Sequence, residues 1–462
     1  MQLKIISGSA AASLGIVGTG FAWAFPEAKW LGLLVVAAGL LIFLFDVRVE
    51  RGEVRAGRRK LHTWGPWLLI VGGPLMGALW LYLQPIDTGQ GLMVAKLSEL
   101  GWTVKASNDS LIFEVVERPV PPLKDSAQYF SKLSKPFSLH LQLVPDITDL
   151  HLLAGNANLT KIEINAGKFT SLEELRDFTQ LTELAITQLP YEGIRGTVDC
   201  APLAKLTKLQ SLNLAMSKVQ SVGFLKELPN LVSLNLGSTL IADISPLENL
   251  SKLQKLEIRE TRVTDLRPLA HNQVLSELVI SGEQVPDLGS LANGHLKVLT
   301  LIEQRLTDLT PLGSLSSVEN VSIWGLPQFD FAQLSPLVNL RRLQLSSRGF
   351  GTIAPVLNAQ SLVSLRRLQE LILGSLQLND LTFTKEFKNL TEIALAEMPI
   401  TSLAFLRATK SIRKVSLTDI PVVDVSPLLD LPQLNEVWLL RIPARVDVLT
   451  ALEQRGVDVR RH

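Results

Sequence analysis

The sequence predicts an α/β repeat fold, an elongated stack of short repeats, preceded by transmembrane helices at the N-terminus. Three observations lead to this prediction. An apolar frame returns at near-constant spacing, a second apolar cluster follows it at a fixed offset, and nearly uncharged apolar runs occupy the first ninety residues. With 462 residues, the chain is long enough for several ordinary domains or for one such array.

Two apolar runs with almost no charge extend from Trp30 to Phe45 and from Trp64 to Leu83. The second run is about 20 residues long, enough for a helix to cross a ~30 Å hydrocarbon core. The intervening segment 46–62 carries six Lys and Arg residues against three Asp and Glu residues. Because short basic loops stay in the cytoplasm, we expect the chain after Leu83 to lie on the other side of the membrane.

The stretch 5–25 allows two interpretations. It is either a first transmembrane helix or a cleavable signal with a small-x-small cleavage site at residues 22–24. The membrane region, residues 1–87, therefore holds two or three transmembrane helices. Both interpretations place residues 88–462 outside the cytoplasm.

An L-x-x-L-x-L frame, in which other aliphatic residues sometimes replace leucine, recurs thirteen times within residues 159–445. Consecutive frames begin 21 to 28 residues apart, and most spacings are 22. The frames begin at Leu159, Leu181, Leu209, Leu231, Leu253, Leu275, Leu296, Val318, Leu340, Leu368, Leu390, Ile412 and Leu434. So constant a register does not arise from composition, and it indicates stacked repeats.

A second apolar cluster, with an aspartate and a proline at fixed places, follows several frames. Its copies begin at Ile241, Val263, Leu306 and Val422. With this cluster the sequence resembles bacterial leucine-rich repeats of the internalin type, over roughly residues 137–445. The resemblance implies a right-handed leucine-rich-repeat solenoid with a parallel β-sheet on its concave face.

The spacing within the frame has a direct physical meaning. Because side chains alternate along a strand, positions 4 and 6 of each repeat point inward, and positions 3, 5 and 7 point to the opposite face. One repeat is too thin to enclose a core, so its leucines are covered only by stacking on neighbouring repeats.

Position 9 departs from the family pattern, in which an asparagine bonds the turning backbone. None of the thirteen repeats keeps that asparagine. Ser217, Thr239 and Thr261 offer a hydroxyl instead. Five other repeats carry an apolar residue followed by proline, namely Leu189, Leu326, Met398, Ile420 and Ile442. Because proline has no N–H to satisfy, we expect a second turn type in these repeats.

Both ends of the array need caps. Residues 88–158 are expected to form a small α/β cap, with helices near 92–100 and 125–133 and a hairpin turning at residues 108–109. Residues 446–462 are expected to form a C-terminal cap from a short helix and a final strand.

Two repeats are six residues longer than the others, and we expect their insertions to project as loops. The single cysteine, Cys200, lies in the first insertion and excludes an intrachain disulfide framework. Nothing near it in the sequence suggests an activated thiolate, so we expect it to be a small buried residue.

Oppositely charged residues follow one another at position 3, and strand pairing places them side by side. We expect a ladder of surface ion pairs, each contributing about 0–1 kcal/mol. The expected pairs are Lys161–Glu183, Lys255–Glu277, Arg342–Glu370 and Glu392–Lys414–Glu436.

Tryptophans beside aliphatic residues on the same face are typical of interaction hot spots. The candidate residues for contact with a protein partner are Ile302, Trp324, Arg342, Glu436, Trp438 and Leu440. Trp438 has a competing interpretation, in which the ring simply packs beneath the C-terminal cap.

Catalytic and cofactor motifs are missing from the sequence. Its six histidines are scattered without metal-ligand spacing, and residues 88–462 contain no nucleophile elbow or phosphate loop. Asp243, Asp265 and Asp308 recur at one turn position, which favours a structural role. The net charge of +1 and the balanced charge of residues 88–462 give no reason to expect nucleic-acid binding. We therefore predict no enzyme activity, cofactor or metal.

The predicted function is recognition of another protein by a bacterial inner-membrane protein whose repeat domain lies in the periplasm. The protein is either a receptor or scaffold, or an immunity-type protein that captures a secreted toxin. An enzyme with its active site in the cap or in the insertions is the alternative from another class.

Overall fold

The structure is a computed structural model. It describes residues 45–50, 53–58, 88–106, 110–115, 121, 123–142, 149–165, 172–188, 197–281, 288–292, 294–302, 308–347 and 353–461. The predicted transmembrane segments lie outside these residues, apart from Phe45. Within the described part of the chain, no helix combines the length and apolarity needed to cross a bilayer.

The chain divides into two compact units, Met1–Thr88 and Gly89–His462. In the first unit, strands β1 (Phe45–Glu50) and β2 (Glu53–Arg58) pair antiparallel as a hairpin. This hairpin is formed by the segment predicted to be a basic cytoplasmic loop.

The start of the second unit has the elements predicted for the N-terminal cap. Helix α1 (Thr88–Glu99) leads into strand β3 (Thr103–Ala106), which pairs antiparallel with β4 (Leu111–Val115). Helix α2 (Leu123–Phe130) then connects β4 to a parallel neighbour, β5 (Phe137–Gln142). The cap therefore extends the sheet of the repeats before the first full frame begins.

Aromatic side chains form the core of this cap. The rings of Trp102, Phe113 and Phe130 meet edge to face, with centroids 4.9 to 6.5 Å apart, and Phe137 stacks on Phe130 at 5.2 Å. The buried indole N–H of Trp102 donates to Ser126 Oγ at 2.9 Å. These rings cover the end of the repeat core, which would otherwise face solvent.

The strands that follow are β6 (Leu159–Asn165), β7 (Glu183–Thr187), β8 (Ser211–Asn213), β9 (Ser233–Asn235), β10 (Lys255–Glu257), β11 (Glu277–Ser281), β12 (Val298–Ile302), β13 (Asn320–Leu326), β14 (Phe329–Asp330), β15 (Arg342–Ser347), β16 (Ala354–Leu357), β17 (Glu370–Gly374), β18 (Leu376–Gln377), β19 (Glu392–Ala396), β20 (Lys414–Thr418), β21 (Glu436–Leu440) and β22 (Asp458–Arg461). Thirteen of them, all except β14, β16, β18 and β22, come one from each predicted frame.

The frame strands pair in parallel with their neighbours in chain order, in the predicted register. Leu256, for example, lies opposite Leu234 on one side and Leu278 on the other. Position 4 of one repeat thus meets position 4 of the next, and the leucines form continuous buried rows. Leu234 and Leu236 are no more than 1% exposed. The predicted parallel-sheet solenoid is confirmed.

Short 3₁₀ helices form the return path of the repeats. The described ones are Leu150–Leu153, Glu173–Leu175, Ala201–Lys205, Gly223–Glu227, Ser245–Leu247, Arg267–Leu269, Leu288–Leu291, Thr310–Ser314, Phe331–Leu334, Ala359–Ser364, Thr382–Glu386, Ala404–Ala408 and Ser426–Asp430. Asp243, Asp265 and Asp308 each accept a hydrogen bond from the backbone N–H two residues ahead, at the start of such a helix. Their predicted structural role is confirmed.

The turn after each strand contradicts one expectation. Residues at position 8 adopt a left-handed backbone in both kinds of repeat, for example Ser238 at φ 55° and Asp419 at φ 49°. In both kinds, the position 8 N–H donates to the position 7 carbonyl of the next repeat. The proline repeats therefore do not use a second turn type at this position, because stacking against the next repeat dictates the same backbone path.

The hydroxyls at position 9 act as predicted. Thr239 and Thr261 are buried and donate to the position 6 carbonyl of their own repeats at 2.7 Å. Ser217 lies 3.3 Å from the carbonyl oxygens of Ile186 and Ala215. The backbone bond expected of an asparagine is thus supplied by a shorter side chain.

The second insertion differs from the predicted loop where it is described. The second insertion contributes strand β16, which pairs in parallel with β14 and β18 in a separate three-stranded sheet. In the first insertion Cys200 is 3% exposed, and burial raises the pKa of its thiol to about 12. The expectation of a small buried residue is confirmed.

The C-terminal end has the predicted elements. Helix α3 (Val446–Gln454) buries Val448, Leu449 and Leu452. Strand β22 then pairs in parallel with β21, where Arg460 lies opposite Trp438. The last repeat is therefore covered by a helix and extended by one more strand.

Candidate functional site

Positions 3, 5 and 7 of the frame strands form one face of the sheet, here called the recognition face. Along β12, Val298, Thr300 and Ile302 are half-buried there, whereas Leu299 and Leu301 are buried. This alternation follows from the strand geometry and places all six predicted partner-contact residues on the recognition face.

Trp324 and Ile302 lie side by side. They are cross-strand partners at position 7 of β13 and β12, and Ser346 of β15 lies opposite Trp324 on its other side. The tryptophan is 41% exposed although it belongs to a regular strand. Gly325 follows it with φ 90° and supplies the left-handed residue of the turn. A large ring beside an aliphatic side chain is thus presented to solvent from a rigid support.

Arg342 lies on β15, the strand that follows Trp324 in the sheet. Its Nη1 is 2.7 Å from Glu370 Oε2. The Arg342 guanidinium is thus paired with Glu370 on the next strand, and the recognition face carries an ion pair there rather than an unpaired charge.

The predicted ladder of ion pairs is present throughout. The distances between the charged atoms are 3.2 Å for Lys161–Glu183, 2.8 Å for Lys255–Glu277, 2.7 Å for Arg342–Glu370, 3.5 Å for Lys414–Glu392 and 3.8 Å for Lys414–Glu436.

Trp438 has a different environment from Trp324. Its indole N–H donates to Glu436 Oε1 at 2.5 Å. Lys414 Nζ lies 5.4 Å from the ring centroid and Arg460 Cζ lies 4.9 Å from it, within the range of cation–π attraction. The hydrogen bonds that Arg460 donates to Asp458 raise the pKa of Arg460. Trp438 is therefore engaged within its own chain.

The alternative for Trp438, packing beneath the C-terminal cap, is supported in part. Arg460 of the terminal strand lies over the ring, and Trp438 remains 40% exposed. Leu440, at position 7 of the same strand, is half-buried and lies opposite Thr418. Strand β21 thus presents one tryptophan that is contacted by charged side chains and one aliphatic side chain.

The six predicted residues fall into two groups rather than one. Ile302, Trp324 and Arg342 lie on three adjacent strands, whereas Glu436, Trp438 and Leu440 share strand β21. Five strand steps separate Trp324 from Trp438, or about 24 Å at the usual spacing.

Arg460 is a residue that the sequence analysis missed. The available signal was its place in the predicted final strand, which pairing sets beside Trp438. Its register could not be assigned, because β22 belongs to no repeat frame.

Glu114, His140 and Glu163 lie opposite one another on the adjacent strands β4, β5 and β6, at the N-terminal end of the recognition face. His140 Nδ1 lies 3.4 Å from Glu163 Oε2 and 3.8 Å from Glu114 Oε1, and Lys105 and Lys161 pair with the same two carboxylates. In the described part of the chain, no three His, Cys, Asp or Glu residues are arranged to hold a metal ion. Lys105 and Lys161 therefore neutralise these carboxylates.

Comparison with known proteins gives the following. A family model described as leucine-rich repeats, in two copies, matches residues 207–249. No curated protein matches the sequence. An internalin of Listeria monocytogenes is similar at 22% identity and a TM-score of 0.49, over 67% of this chain and 88% of that one. A leucine-rich-repeat protein of Leptospira interrogans is similar at 16% identity and a TM-score of 0.45, over 74% and 93%.

Both structural similarities are too distant to transfer a ligand or a binding residue. Residues 207–249, which match the family model, include the hydroxyls of Ser217 and Thr239 and the helix-starting Asp243. The same frame continues on either side of them in one parallel sheet. The chain therefore has a leucine-rich-repeat fold.

Proposed function

We propose that the protein is a recognition module rather than an enzyme, and that it binds another protein through its recognition face. The observation that carries the proposal is Trp324, which is 41% exposed beside Ile302 on a rigid sheet. Tryptophan is the residue type most enriched where binding energy concentrates, and its burial by a partner removes a large apolar surface from water.

We further propose that residues 1–87 anchor this module in a bacterial inner membrane and that the repeats lie in the periplasm, as a receptor or scaffold for an envelope protein. The apolar runs 30–45 and 64–83 and the basic segment between them support this proposal. Protease added to intact spheroplasts should digest residues 88–462 without lysis. Protection until the membrane is broken would refute this orientation.

The binding proposal is tested by crosslinking in intact cells, followed by affinity measurement with the captured partner. Trp324→Ala should weaken binding by more than about 1 kcal/mol and leave the thermal midpoint nearly unchanged. Met216→Ala is the matched control, because Met216 is 55% exposed on a different repeat, outside the predicted group.

Two results would contradict the proposal. Early unfolding of the Trp324→Ala variant would show that the ring stabilises the fold. Equal affinities for the Trp324→Ala and Met216→Ala variants would show that the partner binds elsewhere.

A further inference from the structure

Basic residues are concentrated in one part of the solenoid. Residues 337–416 carry eleven Lys and Arg against five Asp and Glu, whereas the rest of residues 88–462 carries 26 against 34. Five of these cations lie on the turns that lead from a 3₁₀ helix into strands β17, β19 and β20. They are all exposed and are here called the basic flank: Arg366, Arg367, Lys388, Lys410 and Arg413.

The three turns that carry the basic flank stack directly on one another. Asn389 Nδ2 donates to Arg366 O at 3.1 Å. The backbone N–H of Thr391 donates to Gln369 O, and that of Arg413 donates to Thr391 O, each at 2.8 Å. The five cations are therefore neighbours on one surface, although three different repeats supply them.

The cations of the basic flank are not opposed by carboxylates. Lys388 Nζ donates to the carbonyl oxygen of Lys385 at 2.8 Å, and Arg367 Nη1 donates to Asn339 Oδ1 at 2.9 Å. Both acceptors are neutral. In the part of the chain that the structure describes, none of the five cations forms an ion pair.

Two carboxylates on neighbouring repeats already have cationic partners. Glu319 binds Lys297 at 2.9 Å and Arg341 at 3.1 Å, and Asp430 binds Arg407 at 2.8 Å. The basic flank thus differs from the ion-pair ladder of the recognition face, and its positive charge remains available to an anion from outside the chain.

The arrangement of the basic flank limits what that anion is. An exposed row, two residues before the first aliphatic residue of each frame, runs through Val338, Arg366, Lys388, Lys410 and Pro432. The row therefore has cations in its middle and an apolar side chain at each end, and Val338 is 50% exposed. Arg367 and Arg413 lie at other places of the same turns, so the charges are spread over an area rather than along one line.

We propose that the basic flank docks on a bilayer surface that presents acidic phospholipid headgroups. Such headgroups move laterally and meet cations that are spread over an area, whereas the carboxylates of an acidic peptide lie along one line and face one row. The apolar ends of the row suit the same surface, because acyl chains lie directly below the phosphates. The attraction acts over about a Debye length, ~8 Å at physiological salt.

Docking by the basic flank goes beyond the proposed function and is compatible with it. An anchored chain always has a bilayer within reach, which raises the effective concentration of headgroups. The rest of residues 88–462 is net acidic, so the same surface repels it and favours contact through this flank. None of the five cations occupies position 3, 5 or 7, so bilayer contact leaves the recognition face to the protein partner.

The test measures how readily a water-soluble acylating reagent modifies single lysines of the full chain, read by mass spectrometry. The chain is reconstituted with vesicles of phosphatidylcholine, either alone or with one-third phosphatidylglycerol. Modification of Lys388 and Lys410, relative to Lys208, should fall at least threefold in the acidic vesicles and recover in high salt. Lys208 is the internal standard, because it is exposed on the turn before β8 and lies outside residues 337–416.

A double substitution tests whether the flank itself causes the protection. Arg366→Glu with Arg413→Glu reverses two of its charges and should return the modification ratio to its value in neutral vesicles. Lys226→Glu with Lys252→Glu is the matched control, which makes the same change of charge at exposed lysines of other repeats and should leave the ratio within twofold. Thermal midpoints within a few degrees of the parent confirm that both variants keep the fold.

Equal ratios in neutral and acidic vesicles would overturn the docking, as would loss of protection in the control variant. If the lysines are protected only in the crosslinked complex with the captured protein, the flank binds an acidic partner protein and not lipid. If inorganic phosphate protects them in neutral vesicles as well as acidic lipid does, the flank binds free anions.

Carbonate extraction of the vesicles reports on the anchor alone. A chain that carbonate releases, yet whose Lys388 and Lys410 are protected by acidic vesicles, would refute the proposed anchor and leave the docking intact. A chain that resists extraction without such protection would refute the docking and leave the anchor intact.

Discussion

Two regions of the solenoid solve the same turn in different ways. In residues 209–274, here called the hydroxyl-turn repeats, position 9 is a buried Ser or Thr. In residues 390–445, here called the proline-turn repeats, it is an apolar residue followed by proline. The strands β8–β10 span three residues, whereas β19–β21 span five.

The difference concerns the position 6 carbonyl. In the hydroxyl-turn repeats the strand ends early, and Thr239 Oγ1 donates to Leu236 O at 2.7 Å. In the proline-turn repeats the strand runs on to position 7, and Ile420 is buried as an apolar residue. In both kinds of repeat the position 6 carbonyl is either bonded by a hydroxyl or part of the sheet. The left-handed residue at position 8 is found in both kinds.

The largest expected effect tests whether the two regions contribute equally to stability. Leu256→Ala in the hydroxyl-turn repeats and Leu417→Ala in the proline-turn repeats each truncate a side chain no more than 2% exposed. Each should lower the free energy of unfolding by about 2–5 kcal/mol. Urea unfolding measures both. If one variant loses stability within that range and the other loses almost none, one region unfolds without the other.

A smaller effect isolates the hydroxyl bond. Thr239→Val keeps the shape but removes the donor to the buried Leu236 carbonyl, so we expect a loss of about 1–3 kcal/mol. Ile420→Val is the control in the proline-turn repeats, with an expected loss of about 1 kcal/mol. If Thr239→Val is neutral, the hydroxyl does not hold this turn.

Acid should affect the hydroxyl-turn repeats first. Their helix-starting carboxylates have lowered pKa values: a hydrogen bond from the Ser245 backbone lowers that of Asp243, and one from the Arg267 side chain lowers that of Asp265 to about 2. In the proline-turn repeats a hydrogen bond from the Ser426 backbone likewise lowers the pKa of Asp424, but Ser402 takes the equivalent place in the preceding repeat, so only one such carboxylate is present there.

The pKa values of these carboxyls are lower in the folded chain than the ~3.9 of an unfolded aspartate. Their contribution to the free energy of unfolding is therefore present above pH ~3.9 and is lost as the pH falls toward 2. Protection factors for amide hydrogen exchange should therefore fall between pH 4 and 2 more around residues 241–269 than around residues 400–406. Asp265→Asn should remove part of that difference. An equal fall in both regions would contradict this assignment.

The smallest expected effect concerns the left-handed residue itself. Met216 has φ 58° in the hydroxyl-turn repeats, and Gln188 has φ 59° in another repeat whose position 9 residue precedes proline. Glycine relieves the ~1–2 kcal/mol cost of this backbone but gains entropy when unfolded, so each substitution should stabilise by at most about 1 kcal/mol. Thermal midpoints rise slightly for both variants if the two turns are equivalent. A rise for only one would show that they are not.

Much of the architecture could be predicted from the sequence. The thirteen frames, the parallel register, the inward rows such as Leu234 and Leu236, the cap elements and the ion-pair ladder all follow from spacing and alternation. The turn of the proline repeats was mispredicted, because local proline chemistry does not include the hydrogen bond that the position 8 N–H donates to the next repeat.

The candidate site was only partly predictable. The alternation of strands places Trp324 and Trp438 on the recognition face, and that much follows from counting residues. Their different environments do not, because Arg460 reaches Trp438 from a strand outside the repeat frame. The strand within the second insertion was likewise hidden, since its partners β14 and β18 are two-residue strands without a pattern of their own.

Spacing of leucines determines which side chains turn inward, because a stacked repeat buries the same positions in every copy. Contacts between repeats decide the rest: which cation lies over which ring, and which charged side chains are already paired within the chain. Such contacts join residues about 22 or more positions apart, as in Arg441 with Asp419 or Arg342 with Glu370, and only the folded stack brings them together.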